Sequence, residues 1–135
     1  MFLQIQFQSG KPTYLQIVDQ IKTAVASGRL KRGDALPGIR PLAERLRINR
    51  NTVAKAYTEL ERQGVVETQA GKGCFVSDHH TPFSQKMRQK KLQEAVDAAI
   101  VEAHHLQFSD EELLKIIQQR LQSYARKKSD SISSL

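Results

Sequence analysis

The segment from Gly33 to Val76, GDALPGIRPLAERLRINRNTVAKAYTELERQGVVETQAGKGCFV, restricts the fold of this chain more than any other part of it. It holds two short helical patterns a few residues apart, and neither can bury its apolar face alone. Pro37 introduces the first, whose inner face is Ile39, Leu42 and Leu46. Pro41 falls in the first turn of that helix, where its missing N–H would have had no helical partner. Asn49 is placed to cap the second helix. Val53, Ala56, Tyr57 and Leu60 line its inner side, and Gly64 closes it. Val65–Thr68 and Gly73–Val76 then read as two strands around Ala70-Gly71-Lys72. The predicted order is helix, tight turn, helix, glycine-tipped hairpin. Arg50, Asn51 and Thr52 stand at the start of the second of these helices, the end that enters a DNA major groove in helix-turn-helix proteins.

The flanking sequence supplies the rest of a small domain. Leu3, Ile5 and Phe7 alternate with Gln4, Gln6 and Gln8, which predicts a short strand or an extended arm. Ser9 to Pro12 is a break. Tyr14, Ile17, Val18, Ile21 and Val25 recur at helical spacing, with Gly28 in the place of a C-terminal cap. Leu30 to Asp34 reads as a polar turn. Asp78 to Pro82 reads as a linker.

Beyond it the pattern is helical. Phe83, Met87, Leu92, Val96, Ala99, Ile100 and Ala103 are assigned to roughly one face of a fourth helix. A fifth is announced by Ser109 as cap, Glu112 as its reciprocal partner and a staple of Phe108 on Leu113. Its stripe is Leu113, Ile117, Leu121 and Tyr124. Asp110, Glu111 and Glu112 lie at its positive end, with Arg126, Lys127 and Lys128 at its negative end. Ser129 to Leu135 reads as a frayed polar tail. The expected fold is mainly α with a small β wing. Residues 1–77 form one domain, 78–82 a linker, 83–128 a helical region and 129–135 a flexible tail.

Charge narrows the function. The net charge is +7, and it is unevenly spread. Residues 1–77 hold 12 Lys and Arg against 6 Asp and Glu, whereas residues 78–135 hold 9 against 8. Such an excess on the helix-turn-helix half suits a polyanion, whose neutralised phosphates release counterions. An aromatic content of 6% argues against a stacking platform for RNA bases. No apolar run approaches the roughly 20 residues that cross a bilayer. MFLQIQFQSG has neither a basic leader nor a cleavage site. A single cysteine, Cys74, permits no internal disulfide and suits a reduced, cytoplasmic protein. Its strand position suits a buried small hydrophobe.

The chain lacks a Gly-rich phosphate loop, a nucleophile elbow and a paired-carboxylate cleft, so no enzyme and no cofactor are expected. His79-His80 and His104-His105 invite a metal. Adjacent histidines on a helix point about 100° apart, however, and nothing completes a ligand set, so no metal is expected.

Two helices of about 20 residues cannot enclose a core by themselves. With no disulfide or metal to help, the simplest solution is a second copy of the chain. Phe83, Met87, Val96, Ile100, Leu113, Ile117 and Leu121 are the expected dimer interface. A dimer also suits DNA, since two recognition helices read half-sites about one helical turn apart.

Four groups of residues together resemble the winged-helix domain of GntR-family bacterial transcription regulators. They are Leu36-Pro37-x-x-Arg40-x-Leu42-Ala43, Ile48-Asn49-Arg50-Asn51-Thr52-Val53, Tyr57-x-x-Leu60-x-x-x-Gly64 and Gly71-x-Gly73-x-Phe75-Val76. Gly10-Lys11-Pro12-x-Tyr14-x-Gln16-Ile17 fits the same pattern, and the short helical C-terminal region resembles that of the YtrA-like subfamily. The resemblance implies a sequence-specific, homodimeric regulator of double-stranded operator DNA, most often a repressor. It also implies a small-molecule effector and control of transporter genes. A non-specific nucleoid or RNA-associated protein is the alternative.

The same resemblance assigns DNA contacts to Arg40, Arg50, Asn51, Thr52 and Gly71. From its place at the hairpin tip, Lys72 suits a phosphate contact. Lys55 joins this set, although it, Arg45 and Arg47 read equally as a solvated helix face. Gly71 and Gly73 read equally as turn geometry. Two positions depart from the family pattern: Gly38 stands where a serine cap is usual, and Ala54 where some members carry arginine.

Overall fold

The computed structural model describes residues 3–78 and 83–133, with side chains described as far as Ala125. The chain divides into two compact units between residues 82 and 83.

The first unit contains helices α1 (Thr13–Ala26), α2 (Ile39–Leu46) and α3 (Arg50–Arg62), then strands β1 (Val66–Gln69) and β2 (Gly73–Val76). Its core is built on α3, whose Val53, Ala56 and Leu60 are fully buried. Ile17, Val18, Ile21 and Ala24 of α1 pack on one side of it, with Leu42 and Ala43 of α2 on another. Val66 and Val76 close the core from the hairpin. Ile39 departs from expectation. It is the first residue of α2 and is 38% exposed, while Ala43 takes the inner position beside Leu42.

The N-terminal alternation forms an extended arm rather than a strand. Leu3 is buried, but the alternation ends at Phe7, which is 68% exposed. The arm's neighbour is α1, and two glutamine amides replace the missing strand. The Gln4 N–H donates to Gln20 Oε1 at 3.0 Å, and Gln20 Nε2 donates back to the Gln4 carbonyl at 2.7 Å. Gln16 does the same for Gln6, accepting at 2.8 Å and donating at 3.0 Å. Two residues along an extended chain advance about 6.6 Å and four along a helix about 6.0 Å, so the two spacings match.

The stretch predicted as a polar turn does more than turn. The Gly33 N–H donates to the Val76 carbonyl at 2.9 Å, Val76 N–H to Asp34 at 2.8 Å and Leu36 N–H to Cys74 at 2.8 Å. Ala35 thereby bridges Phe75 antiparallel, adding a third rail to the hairpin. In the hairpin itself Val66 pairs with Val76 and Gln69 with Gly73. Gly71 and Gly73 have φ of +76° and +114°, which side-chain-bearing residues adopt only at a cost.

The second unit contains α4 (Gln85–His105) and α5 (Asp110–Ser133). Ser84 caps α4, accepting from the Met87 N–H at 3.2 Å. Phe108 N–H returns to the Ala103 carbonyl at 2.9 Å and Gln107 N–H to His104 at 3.0 Å, a Schellman closure. Ser109 and Glu112 then form the reciprocal cap. Ser109 N–H donates to Glu112 Oε1 at 3.0 Å, and Glu112 N–H to Ser109 Oγ at 3.2 Å.

Helix α5 continues through Ser133, where a frayed tail was expected from Ser129. No glycine or proline between Asp110 and Ser133 stops it. The side chains of Arg126, Lys127 and Lys128 lie outside the described residues. The single apolar face expected on α4 also needs correction. Nine residues separate Met87 from Val96, so they lie about 180° apart. Met87 and Val101 share one flank, and Leu92, Val96 and Ile100 the other. No side chain of α4 is buried.

Candidate nucleic-acid interface

The turn between α2 and α3 sets the direction of the polar end of α3. Arg47 ends α2 in the left-handed conformation, with φ 57° and ψ 48°. Its N–H donates to the Glu44 carbonyl at 3.3 Å, and the Ile48 N–H to Ala43 at 3.0 Å. An arginine held there costs about 1 kcal/mol or more relative to glycine. Ile48 packs against the core. Asn49 then caps α3 as predicted, its Oδ1 accepting from the Asn51 N–H at 2.7 Å. With Val53 at 0% exposure beneath, the first turn of α3 is pinned from below, and Arg50 and Asn51 are left exposed. Thr52 is half-buried beside them.

Arg40 of α2 faces the same region. Together with Ala43, Glu44, Arg47, Ile48 and Arg50 it lines one open surface concavity. Among the described residues the guanidinium groups of Arg40, Arg47 and Arg50 make no ion pair or hydrogen bond, and Lys72 at the hairpin tip makes none either. Other cations are engaged: Lys11 pairs with Asp19, and Arg62 with Glu59 at 2.6 Å. Lys55 is set apart from the cluster, with its Nζ 4.1 Å from the centre of the Tyr14 ring on α1. Three guanidinium groups without a bonded counter-ion, set against the one carboxylate of Glu44, leave this concavity net positive and favour an anion.

The hairpin is attached to the same frame through residues 34–37. The strand-like segment Asp34–Leu36 holds β2, and the next residue, Pro37, accepts the Tyr57 hydroxyl proton at 2.7 Å. Burial raises the Tyr57 hydroxyl well above the usual tyrosine range, so it remains a donor throughout the working pH. One short stretch therefore joins α3, the start of α2 and the root of the wing. Gly38 caps α2 without a side chain, and a Cβ there would lie 3.3 Å from Pro41 Cδ.

The sequence reading assigned neither the frame of residues 33–37 nor Arg47. The pairing of 33–36 has no periodic signature over four residues. From the sequence Arg47 reads equally as a solvated cation, like Arg45 and Lys55, and its backbone angle and place in the concavity distinguish it.

The expected dimer residues are left uncovered within their own unit. Met87 and Val96 are each 43% exposed, Ile100 48%, Ile117 38% and Leu121 65%, while Phe83 and Leu113 are half-buried. His104 and His105 stack edge to face, and among the described residues no cluster of His, Cys, Asp or Glu could hold a metal. His79 and His80 lie outside the described residues. Cys74 is half-buried, and burial raises its thiol. No described helix is long and apolar enough to cross a membrane.

Comparison with known proteins agrees with this geometry. Residues 13–76 match the model of the gntR family of bacterial regulatory proteins. The HTH-type transcriptional repressor YtrA of Bacillus subtilis is 38% identical over 103 residues, covering 76% of this chain and 79% of the relative. The likeness thus extends past the winged unit into the helical one. A solved transcriptional antiterminator from Listeria monocytogenes is 35% identical, with a TM-score of 0.78 over 92% of each chain. The DNA-binding domain of AraR, solved in complex with its operator ORX1, is 26% identical, with a TM-score of 0.51 over 56% of this chain and 96% of that one. This chain belongs to the gntR family of bacterial regulatory proteins and is a winged helix-turn-helix transcription regulator, not an enzyme.

Proposed function

We propose that the protein is a homodimeric, cytoplasmic repressor that reads double-stranded operator DNA with the first turn of α3. Arg50 pairs bidentately with guanine O6 and N7, a contact that discriminates by about 1–3 kcal/mol. Asn51 reads adenine or binds phosphate. Thr52 and Arg40 hold phosphates, which position the helix without specifying sequence. Gly71 lets the wing approach the minor groove, Lys72 binds a phosphate there, and Lys55 flanks the contact from beside Tyr14. The observation that carries this reading is the unpaired set of guanidinium groups around the start of α3.

In this proposal residues 1–77 bind DNA and residues 83–128 dimerise. Support for the second part comes from α4, which is apolar on two flanks. A helix of that kind needs neighbours on both sides, and a partner chain supplies them. A small-molecule effector sits where the two helical regions meet and alters the separation of the reading heads. Control of transporter genes rests on the family resemblance alone.

The direct trial is selection from a random pool of DNA duplexes, followed by fluorescence anisotropy at about 0.1 M salt. The reading expects a pseudo-palindrome with half-sites about 10 bp apart, bound by two chains. Equal affinity for selected and scrambled duplexes at every salt concentration would identify a general polyanion binder instead.

A further inference from the structure

The feature of the reading head that the proposed contacts leave unused is Arg47. Its backbone is held at φ 57° in the turn, a conformation that favours glycine. Its side chain is exposed and makes no ion pair or hydrogen bond among the described residues. Among the described residues no contact of the side chain offsets the backbone cost, so the residue is not explained by the bonds that hold the fold. The side chain lines the same concavity as Arg40 and Arg50, with Ala43 and Ile48 as its apolar floor and Glu44 as its only acid.

We propose that Arg47 is a phosphate contact built into the helix-turn-helix turn itself, which grips a phosphodiester of the duplex as Arg50 reaches the bases. A left-handed residue at the end of α2 projects its side chain away from that helix's own surface. The guanidinium is therefore not held against the surface of α2. Its planar fork of five donors suits a tetrahedral anion. The contact increases grip and fixes register, and it carries no sequence information. The inference rests on the DNA-binding reading above and extends it to a residue outside the assigned set.

The test uses the full chain with Arg47→Gly and Arg47→Lys, and with Arg45→Gln as a control for net charge. Glycine relieves the backbone, so Arg47→Gly should melt no lower than the parent. It should weaken selected and scrambled duplexes by the same factor. One lost phosphate contact lowers the slope of log K against log salt by about 0.9, which is about eightfold between 1 M and 0.1 M salt. Arg47→Lys should retain most of the slope.

An unchanged slope in Arg47→Gly, with the parent still binding, would overturn the assignment of Arg47 and leave the DNA reading standing. An equal fall in Arg45→Gln would make the effect one of net charge and would also overturn it. A parent that binds no duplex would overturn both.

Discussion

Leu121→Ala tests the proposed pairing of chains at a single side chain. Leu121 is 65% exposed in its own unit and lies on the stripe of α5 with Ile117. Fully burying a leucine contributes about 1.5–3 kcal/mol, so covering the exposed part contributes about 1–2 kcal/mol per chain. A two-fold interface uses each residue twice. The substitution should therefore weaken the dimer by about 2–4 kcal/mol, or one to three decades in Kd. Alanine is the strongest helix former, so α5 itself should persist. Sedimentation equilibrium over a concentration series reads the change directly, with circular dichroism as the check on helicity. The parent should sediment at twice the 15.3 kDa chain mass. An unchanged Kd would remove Leu121 from the interface, and a 15.3 kDa species at every concentration would remove the dimer.

Further substitutions probe the frame that holds the reading head. Tyr57→Phe deletes the bond to the Pro37 carbonyl. It should cost about 1 kcal/mol, or roughly 4–8 °C in Tm for a domain of this size; an unchanged Tm at equal protein concentration would show that the tie is idle. Gln16→Leu removes the amide that bonds Gln6 on both sides and also reaches the Lys11 carbonyl at 2.9 Å. Chymotryptic cleavage after the exposed Phe7 should then accelerate, and an unaltered rate would mean that burial of Leu3 alone retains the arm.

Glu59 supplies a pH dependence. Its hydrogen bonds with Arg62 and then Gln63 lower the carboxyl from its ordinary 4.5 to about 2. A depressed folded pKa stabilises above the unfolded value, and the effect is lost as pH falls toward the folded one. Stability should drop between about pH 4.5 and pH 2, modestly because the pair is exposed. Glu59→Gln should flatten that limb of the Tm–pH curve, and an identical curve would place the acid sensitivity elsewhere.

The parts of the fold that were legible in the sequence are those written in repeats or caps. Asn49, Ser109 and Glu112 cap where a side-chain acceptor must meet an orphan N–H, and that chemistry is local. Val53, Ala56, Tyr57 and Leu60 follow the helical period onto one buried face. The rest turned on features that local pattern does not carry. The alternation of Leu3, Ile5 and Phe7 suits a strand or an extended arm equally, and only the neighbour, α1, decides for the arm. Residues 33–36 pair with β2 through three backbone bonds, in which side-chain identity plays almost no part. The grouping of Met87 with Val96 is different in kind: nine residues at about 100° each place them on opposite flanks, which the sequence does carry. For the proposed site, the family resemblance points to Arg40 and Arg50, and the structure sets both on one concavity. The convergence of Arg47 on them depends on one backbone torsion, which the residue name does not reveal.

The central claim is that the first turn of α3 reads base sequence, and Arg50→Ala tests it most directly. Anisotropy titrations should compare a selected operator duplex with a scrambled duplex of equal length and salt. Loss of one bidentate guanine pair, about 1–3 kcal/mol, should lower operator affinity by roughly 5- to 150-fold. Affinity for the scrambled duplex should fall only by the share of one charge. If Arg50→Ala preserves the full ratio between the two duplexes, sequence is read elsewhere and the account of this site is wrong.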